Sequence, residues 1–432
     1  MSEALQMKRA SRNLVLFTGS EFIGTIGSSI YMFGIGLFVL GLTGSATNFA
    51  LTMLCSMVPR ILLSPVAGHL VDRWPKKIVA VISHALMALT MAIVLSYTLA
   101  FELSLPLIYG TAAMLAIFAT FAGISLTASI ANFVDENRIQ RAVSLTQSSN
   151  SLAAILGPIA GGVMFGFFSI EVFLICHALA YSIVTLLVAN MHFNLFRSFA
   201  SEDDQPEEQL PMLTSIKEGA LYVKNHPLLF AIMTVALWVN FFFMASAVGL
   251  PFIFVEVLEG TSNQLGVVQS MLGAGTLLTS IYLSTRKEIK KPIKTVRGGL
   301  LFISLALGLM AIPLLISMPN LGFAAFYMGI ALLMGVLMVI VNTPIQVLLH
   351  KTTPDHYKGR VFGLIEMLAS GISPLGIVLF GFLYDSVSPQ WILIVSAALL
   401  FLVTLYGMRP SRVKDTEPKT EVKEELAETL SS

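Results

Sequence analysis

The chain has 432 residues, of which 56% are hydrophobic and only 12% are charged, and its mean hydropathy is +0.82. Soluble globular proteins carry about 25% charged residues, so this composition excludes a water-soluble fold. The net charge of +1 gives no basic excess for binding nucleic acid, and we expect no nucleic-acid partner.

Twelve apolar stretches follow one another along the chain. A bilayer core of about 30 Å requires roughly 20 apolar residues per helix. Stretches near this length occupy residues 14–40, 47–69, 78–98, 107–131, 143–167, 170–190, 227–255, 265–285, 296–317, 320–347, 361–383 and 390–408. The sequence therefore predicts an all-α integral membrane protein with twelve transmembrane helices.

The basic residues fall on one side of this twelve-span arrangement. Of the 26 Lys and Arg residues, 25 lie in the termini or in alternate connections, and the connections on the opposite side contain none. Because short basic loops stay in the cytoplasm, we expect both termini to be cytoplasmic. We also expect a multi-pass protein of the plasma membrane.

A polar interruption divides the spans into six plus six. We predict an N-terminal six-helix bundle over residues 1–190, a cytoplasmic linker with an amphipathic helix over 191–226, a C-terminal bundle over 227–408, and a disordered cytoplasmic tail over 409–432. A shift of 219 residues carries Gly157 onto Gly376 and Gly162 onto Gly381. This repetition predicts two pseudo-symmetric bundles, a frequent design of transporters.

Two ionisable residues stand at similar depth in the first two spans. Glu21 and Arg60 each lie about 12 Å from the cytoplasmic ends of their spans, at 1.5 Å per residue. Buried charges in membranes are costly and mark functional sites, so we expect proton exchange at Glu21 with its pKa tuned by Arg60. A static salt bridge between the two spans is the alternative. Glu366 is a second candidate for proton coupling, or else part of the cytoplasmic gate.

The segment Gly68-His69-Leu70-Val71-Asp72-Arg73-Trp74-Pro75-Lys76-Lys77 lies between spans two and three. It resembles the signature of the major facilitator superfamily, which implies a secondary transporter that works by alternating access. The resemblance also implies that Asp72 latches the two halves on the cytoplasmic side, beside the start of span eleven. The latch residues are then Gly68, Asp72, Arg73, Lys76, Lys77 and Arg360. Ordinary interfacial charges are the alternative reading of Asp72 and Arg73.

Span five contains Gly157-Pro158-Ile159-Ala160-Gly161-Gly162. This sequence looks like the core of the antiporter signature of drug exporters, although Ala153 replaces an expected glycine. The loops around 135–145 and 358–363 resemble those of the macrolide-efflux-like branch of drug:proton antiporters. The resemblance implies proton-coupled efflux of amphipathic drugs or macrolide-like compounds by a monomer in the lipid bilayer. A kinked packing helix is the structural alternative for Gly157, Pro158, Gly161 and Gly162.

Other polar or aromatic residues within the spans are candidates for a substrate cavity: Asn150, Asn240, Phe243, Asn342 and Gln346. Packing between helices or contact with lipid is their alternative role, and we expect His84 and His177 to be packing residues. The sequence lacks a nucleotide-binding motif, an H-E-x-x-H motif and a C-x-x-C motif, so we expect no cofactor, no metal and no enzyme activity. A carrier of another small metabolite (a sugar, peptide, siderophore or lipid) is the runner-up, and a receptor or a membrane enzyme is more remote.

Overall fold

The computed structural model describes residues 3–196, 220–286, 289–353, 361–365, 367–368 and 371–409, with the backbone alone at Glu3 and Asp72. These residues contain twelve long helices and no strand. Helices α1–α6 are Glu3–Thr43, Ala46–Arg73, Lys76–Thr98, Leu105–Thr127, Glu136–Phe167 and Ile170–Ala189. Helices α7–α12 are Pro227–Phe252, Ser262–Ser284, Pro292–Leu309, Asn320–Thr352, Ser373–Ser386 and Pro389–Gly407.

The helices have the lengths that a bilayer requires. Eleven of the twelve helices are long and apolar enough to cross a membrane, and α11 is a shorter apolar helix of 14 residues. A π-helical turn over Ile253–Val257 continues α7. Residues 361–365, before α11, are also helical. The predicted all-α membrane fold is confirmed.

Several helices begin before the apolar stretch that predicted them. Helix α1 begins at Glu3 and not at residue 14, and α5 begins at Glu136 and not at residue 143. Hydropathy reports which residues suit lipid, whereas a helix continues as long as its main chain is hydrogen-bonded. The polar first turns of α1 and α5 therefore belong to their helices.

The two halves repeat one packing plan. In the first half α1 packs against α5 and α6, α2 against α4, and α3 against α4 and α6. In the second half α7 packs against α11 and α12, α8 against α10, and α9 against α10 and α12. Each of these first-half contacts thus recurs six helices later, which confirms two pseudo-symmetric six-helix bundles.

We call the end of the molecule at which α1 begins and α12 ends the terminal face, and the opposite end the far face. On the terminal face Asn13 is fully buried, and its Nδ2 donates to the carbonyl oxygens of Phe133 (3.0 Å) and His192 (2.7 Å). Its Oδ1 accepts from the main-chain N–H of His192 at 2.9 Å. The side-chain amide of Asn13 therefore ties α1 to two connections. Burial, together with the positive charges of Arg9, Lys77 and Arg12, lowers the pKa of the neighbouring His192.

The predicted linker and tail fall largely outside the described residues, at 197–219 and 410–432. The described end of the linker, residues 220–225, is helical. Val223 is fully buried and packs with Leu229, Leu349 and Val361. This end of the predicted amphipathic helix is therefore anchored to the second half of the protein.

Candidate functional site

The two halves meet at the far face through α2 and α11. The carboxylate of Asp385, in the last turn of α11, accepts hydrogen bonds from Ser45 Oγ (2.6 Å) and from the main-chain N–H groups of Ala46 (2.7 Å) and Thr47 (3.0 Å). These N–H groups belong to the first turn of α2, where no carbonyl of the same helix can accept them. Asp385 thus supplies the negative charge that a helix N-terminus favours.

A second contact between the halves joins α5 and α8. A Cβ atom on Gly162 would lie 2.7 Å from the carbonyl oxygen of Ser262, and one on Gly266 would collide with the carbonyl oxygen of Pro158. Ser270 Oγ donates to the carbonyl oxygen of Ile155 at 2.6 Å. The glycines let the two main chains touch, so the far-face ends of α5 and α8 close against each other.

These contacts place the antiporter-like motif at a junction of three helices. Gly157 and Gly161 face α1, where a Cβ would collide with Ser29 and with Phe33 respectively, while Gly162 faces α8. Close approach of the helices is enough to explain why glycine stands at these three positions, and this agrees with the packing alternative. Their proposed part in antiport remains a prediction.

The predicted latch at the terminal face looks different. Among the described residues, a Cβ on Gly68 would meet no atom within 4 Å, and Arg73 is exposed. Lys76 and Lys77 donate to carbonyl oxygens of their own half, at Ala128 (3.2 Å) and Met191 (2.8 Å). The side chain of Asp72 and the whole of Arg360 lie outside the described part, so a contact between them stays a prediction.

Two of the cavities in the described part of the molecule contain predicted site residues. The larger, about 790 Å³, lies among helices of the first half and is lined by residues that include Ser28, Tyr31, Met57, Arg60 and Tyr181. We call it the first-half cavity. The smaller, about 360 Å³, lies between the halves and is lined by residues of both, among them Phe33, Met53, Phe243, Leu250 and Gln269. We call it the central cavity, and Met32 of α1 lines both.

The predicted coupling residues are not paired in this structure. Across the described residues the one ion pair recorded, with nitrogen and oxygen within 4.0 Å, joins Arg138 to Asp135 at 2.7 Å. Glu21 and Arg60 are both described, so the salt bridge between them is absent here. Sequence depth placed both residues at one level but could not fix how each helix is rotated. Glu366 lies outside the described residues.

The predicted cavity residues divide into two groups. Phe243 lines the central cavity. The side-chain amide of Asn240 donates to the carbonyl oxygen of Ala236 in its own helix at 2.9 Å, which is a local bond. Asn150, Asn342 and Gln346 are exposed and do not line either of the two cavities.

The two histidines contact main-chain carbonyl oxygens, and only His177 reaches a second helix. His84 contacts the carbonyl oxygen of Ala80 in its own helix at 2.8 Å, and His177 contacts those of Phe173 (2.7 Å) and Gly27 (3.1 Å). Both side chains are buried. Their contacts fit the predicted role as packing residues.

Sequence reasoning missed Asp385, although a signal for it was present. Gly381 precedes Asp385 by four residues at the end of α11, as Gly68 precedes Asp72 at the end of α2. A Cβ on Gly381 would lie 2.6 Å from that of Ala50 on α2. The spacing of glycine and aspartate thus recurs in both helices of this antiparallel pair.

A fold of two six-helix halves with cavities within and between them defines a polytopic membrane protein of the transporter class. Residues 17–376 and 318–431 match the family described as the Major Facilitator Superfamily. The chain belongs to the Major Facilitator Superfamily.

Known proteins agree with this assignment over nearly the whole length. The chain is 28% identical over 410 residues to the uncharacterized MFS-type transporter YfiS of Bacillus subtilis, covering 93% of this chain and 94% of that protein. It is 21% identical over 387 residues to macrolide efflux protein A of Streptococcus pyogenes, covering 89% and 92%. A solved structure of a bacterial homologue of the iron transporter ferroportin, in an inward-facing state, matches with a TM-score of 0.69 at 14% identity, covering 92% and 99%.

Proposed function

We propose that the protein is a proton-coupled exporter of amphipathic compounds that works by alternating access. The observation that carries the proposal is a central cavity bounded by both halves, together with hydrogen-bonded contacts between the halves at the far face. At the terminal face no atom of the described residues lies within 4 Å of the position that a side chain on the latch glycine Gly68 would take. With the termini in the cytoplasm, this arrangement corresponds to an inward-facing state.

The lining of the central cavity supports an amphipathic substrate. Phe33, Met53, Phe243 and Leu250 supply apolar and adaptable surfaces, and Gln269 supplies a polar group. Pockets of this composition accept a bulky apolar body and orient it through a few polar contacts. The similarity to a macrolide efflux protein favours macrolide-like compounds as the first candidates.

Glu21 is our proposed site of proton coupling. It lies within the membrane-spanning part of α1, partly exposed, and its carboxylate has no cation within 4.0 Å among the described residues. A carboxylate that changes its surroundings between two states binds a proton more tightly in one of them. Arg60 approaching Glu21 in the outward-facing state would provide such a change, and Glu366 is the second candidate.

We further propose that the protein works as a monomer in the plasma membrane with both termini in the cytoplasm. The linker and the tail would then lie on the cytoplasmic side, where 25 of the 26 basic residues also fall.

Transport into liposomes tests the function. Purified protein is reconstituted into vesicles with an acidic interior, and uptake of radiolabelled erythromycin is measured. We expect uptake that exceeds passive trapping of this weak base in protein-free vesicles and that an uncoupler abolishes. Equal uptake with and without protein, for erythromycin and for other amphipathic compounds alike, would contradict the proposal.

A carrier of another small metabolite is the second candidate function. One observation favours it: the cation Arg60 lines the first-half cavity, and among the described residues no acidic residue lines either cavity. A cationic drug gains nothing from such a cavity.

A further inference from the structure

Arg60 stands near the middle of α2, a helix long and apolar enough to cross a membrane. It is fourteen residues from the start of α2 at Ala46, about 21 Å at 1.5 Å per residue, and thirteen from the end at Arg73. Its side chain is exposed and lines the first-half cavity of about 790 Å³. Guanidinium groups are always charged and are costly at this depth unless water or an anion solvates them.

No carboxylate of the described residues neutralises this charge. The nearest candidate from sequence, Glu21, lies farther than 4.0 Å from it, and the residues lining the cavity include no Asp or Glu. Arg60, whose guanidinium carries five N–H donors, lines this cavity. Planar oxyanions such as carboxylates match this fork with two parallel hydrogen bonds.

The remainder of the cavity lining is chemically divided. Hydroxyl groups of Ser28, Tyr31, Ser56, Ser64 and Tyr181 lie among the lining residues, and Ser28 Oγ and Tyr181 Oη are 3.4 Å apart. The other lining residues are mainly Met and Ala, and beyond Met32 the central cavity is lined by Phe, Met and Leu side chains. The first-half cavity thus supplies a cation and hydroxyl groups for an anion, and the central cavity supplies apolar surface.

We propose that the first-half cavity binds the acidic group of an amphipathic substrate through Arg60, while the apolar body of that substrate extends past Met32 into the central cavity. This inference rests on the proposed transport function but replaces the basic macrolide-like candidates with compounds that have an apolar body and one anionic group. Cationic amphiphiles are disfavoured because they would place like charge beside Arg60.

Two probes of nearly equal shape test the charge preference. Binding of 1-naphthaleneacetic acid and of the uncharged 1-naphthaleneacetamide to purified protein is measured by equilibrium dialysis and by the shift in melting temperature. We expect the acid to bind the wild type about tenfold more tightly than the amide. Arg60→Gln should abolish this preference, and Arg60→Lys should keep part of it because the charge remains.

Arg286→Gln is the matched control, since Arg286 stands at the terminal-face end of α8 with its guanidinium over Tyr282 at 4.8 Å. It should leave the preference unchanged. Absence of a preference for the acid in the wild type, including no binding of either probe, overturns the proposal, as does a preference that survives Arg60→Gln. Because binding is measured without transport, acid binding through Arg60 in a protein that fails to transport would reject the proposed function and keep this site.

The far-face contact of Asp385 carries a second inference independently. Its carboxylate accepts three hydrogen bonds from Ser45, Ala46 and Thr47, so one side chain of the second half caps a helix of the first. Hydrogen bonds to a carboxylate are roughly twice as strong as neutral ones. Gly381, one turn earlier, brings α11 against Ala50 so that this carboxylate reaches the first turn of α2.

The geometry assigns to Asp385 at the far face the part that the family resemblance gives to Asp72 at the terminal face. Helices α2 and α11 are antiparallel, and at the far face the last turn of α11 lies beside the first turn of α2. Opening of the far face breaks the bonds of Asp385, and closing of the terminal face would form those of Asp72. The transporter then exchanges one carboxylate cap for another as it changes state.

A cysteine behind the closed far face reports this exchange. Thr52 is 1% exposed and lines the central cavity, and Thr52→Cys nearly conserves its volume. In a background with Cys55→Ser and Cys176→Ser, labelling by an impermeant thiol reagent added to the far face is followed in time. We expect Asp385→Ala to raise the labelling rate about tenfold, and Asp385→Asn to raise it less because one oxygen acceptor remains.

Glu171→Gln serves as the control, because Glu171 is a carboxylate at the far-face end of α6 and that helix does not join the halves. It should leave the labelling rate unchanged. Equal rates in the wild type and in both Asp385 variants, or an equal rise in Glu171→Gln, would overturn the assignment.

Discussion

At the scale of single residues, the charged groups inside the membrane carry the functional argument. Glu21 and Arg60 stand out in the sequence because ionisable residues are rare within apolar spans. Their depth could be predicted from spacing, but their partners could not, because a helix rotation of a few tens of degrees decides which helix a side chain faces. Asp385 was missed because it lies at the end of a span, where a carboxylate is ordinary.

Glu21→Gln removes a titrating group and keeps the shape of the side chain. If the proton uses Glu21, this variant should lose uptake driven by a pH gradient in liposomes by at least about tenfold while it keeps downhill exchange of substrate. Glu102→Gln is the control, since Glu102 lies in a far-face connection. Concentrative uptake by Glu21→Gln that an uncoupler still abolishes would move the coupling site elsewhere, with Glu366 as the next candidate.

Asn13→Ala tests the polar anchor of the terminal face. The variant leaves the carbonyl oxygens of Phe133 and His192 and the N–H of His192 without their partner inside a buried site. We expect a loss of about 2–3 kcal/mol of stability, seen as a lower melting temperature in detergent. Asn190→Ala should cost far less, because Asn190 is exposed and donates within its own helix to Leu186 (2.8 Å). Equal melting temperatures for the two variants would contradict this account.

At the scale of helices, packing is set by small residues that hydropathy does not weigh. The twelve spans could be predicted because lipid demands long apolar runs, whereas the neighbours of each span could not. Gly266 illustrates the reason. It is one glycine among 32, and only the structure shows that it packs against the carbonyl oxygen of Pro158 in the other half. The shift of 219 residues did predict that the halves repeat, since it matched Gly162 with Gly381, and both contact the opposite half.

Gly266→Ala should separate α5 from α8 at the far face. Cysteines replacing Ile155 and Ser270 report the separation through their rate of disulfide formation. In the wild type Ser270 Oγ lies 2.6 Å from the carbonyl oxygen of Ile155. We expect the cross-linking rate to fall severalfold with Gly266→Ala. Gly329→Ala on α10 is the control, since its Cβ would meet no atom within 4 Å. A rate that is unchanged by Gly266→Ala would show that this contact does not hold the far face closed.

At the scale of the whole molecule, the distribution of basic residues predicts the orientation in the membrane. Single cysteines replacing Ser104 and Ser388, both exposed at the far face, should react with an impermeant thiol reagent on intact cells. Cysteines replacing Ser201 and Ser411, in the linker and the tail, should react only after the membrane is broken. Labelling of either of the latter pair on intact cells would invert the topology.

The central claim is that the described structure is one of two alternating states. Distances between paired spin labels test it most directly, with one pair at Ser104 and Ser388 on the far face and another at Arg141 and Arg286 on the terminal face. In lipid nanodiscs, changing the pH or adding substrate should lengthen the far-face distance and shorten the terminal-face distance together, because one face closes as the other opens. If each pair keeps one unchanged distance under every condition, in protein that transports, the result would contradict alternating access.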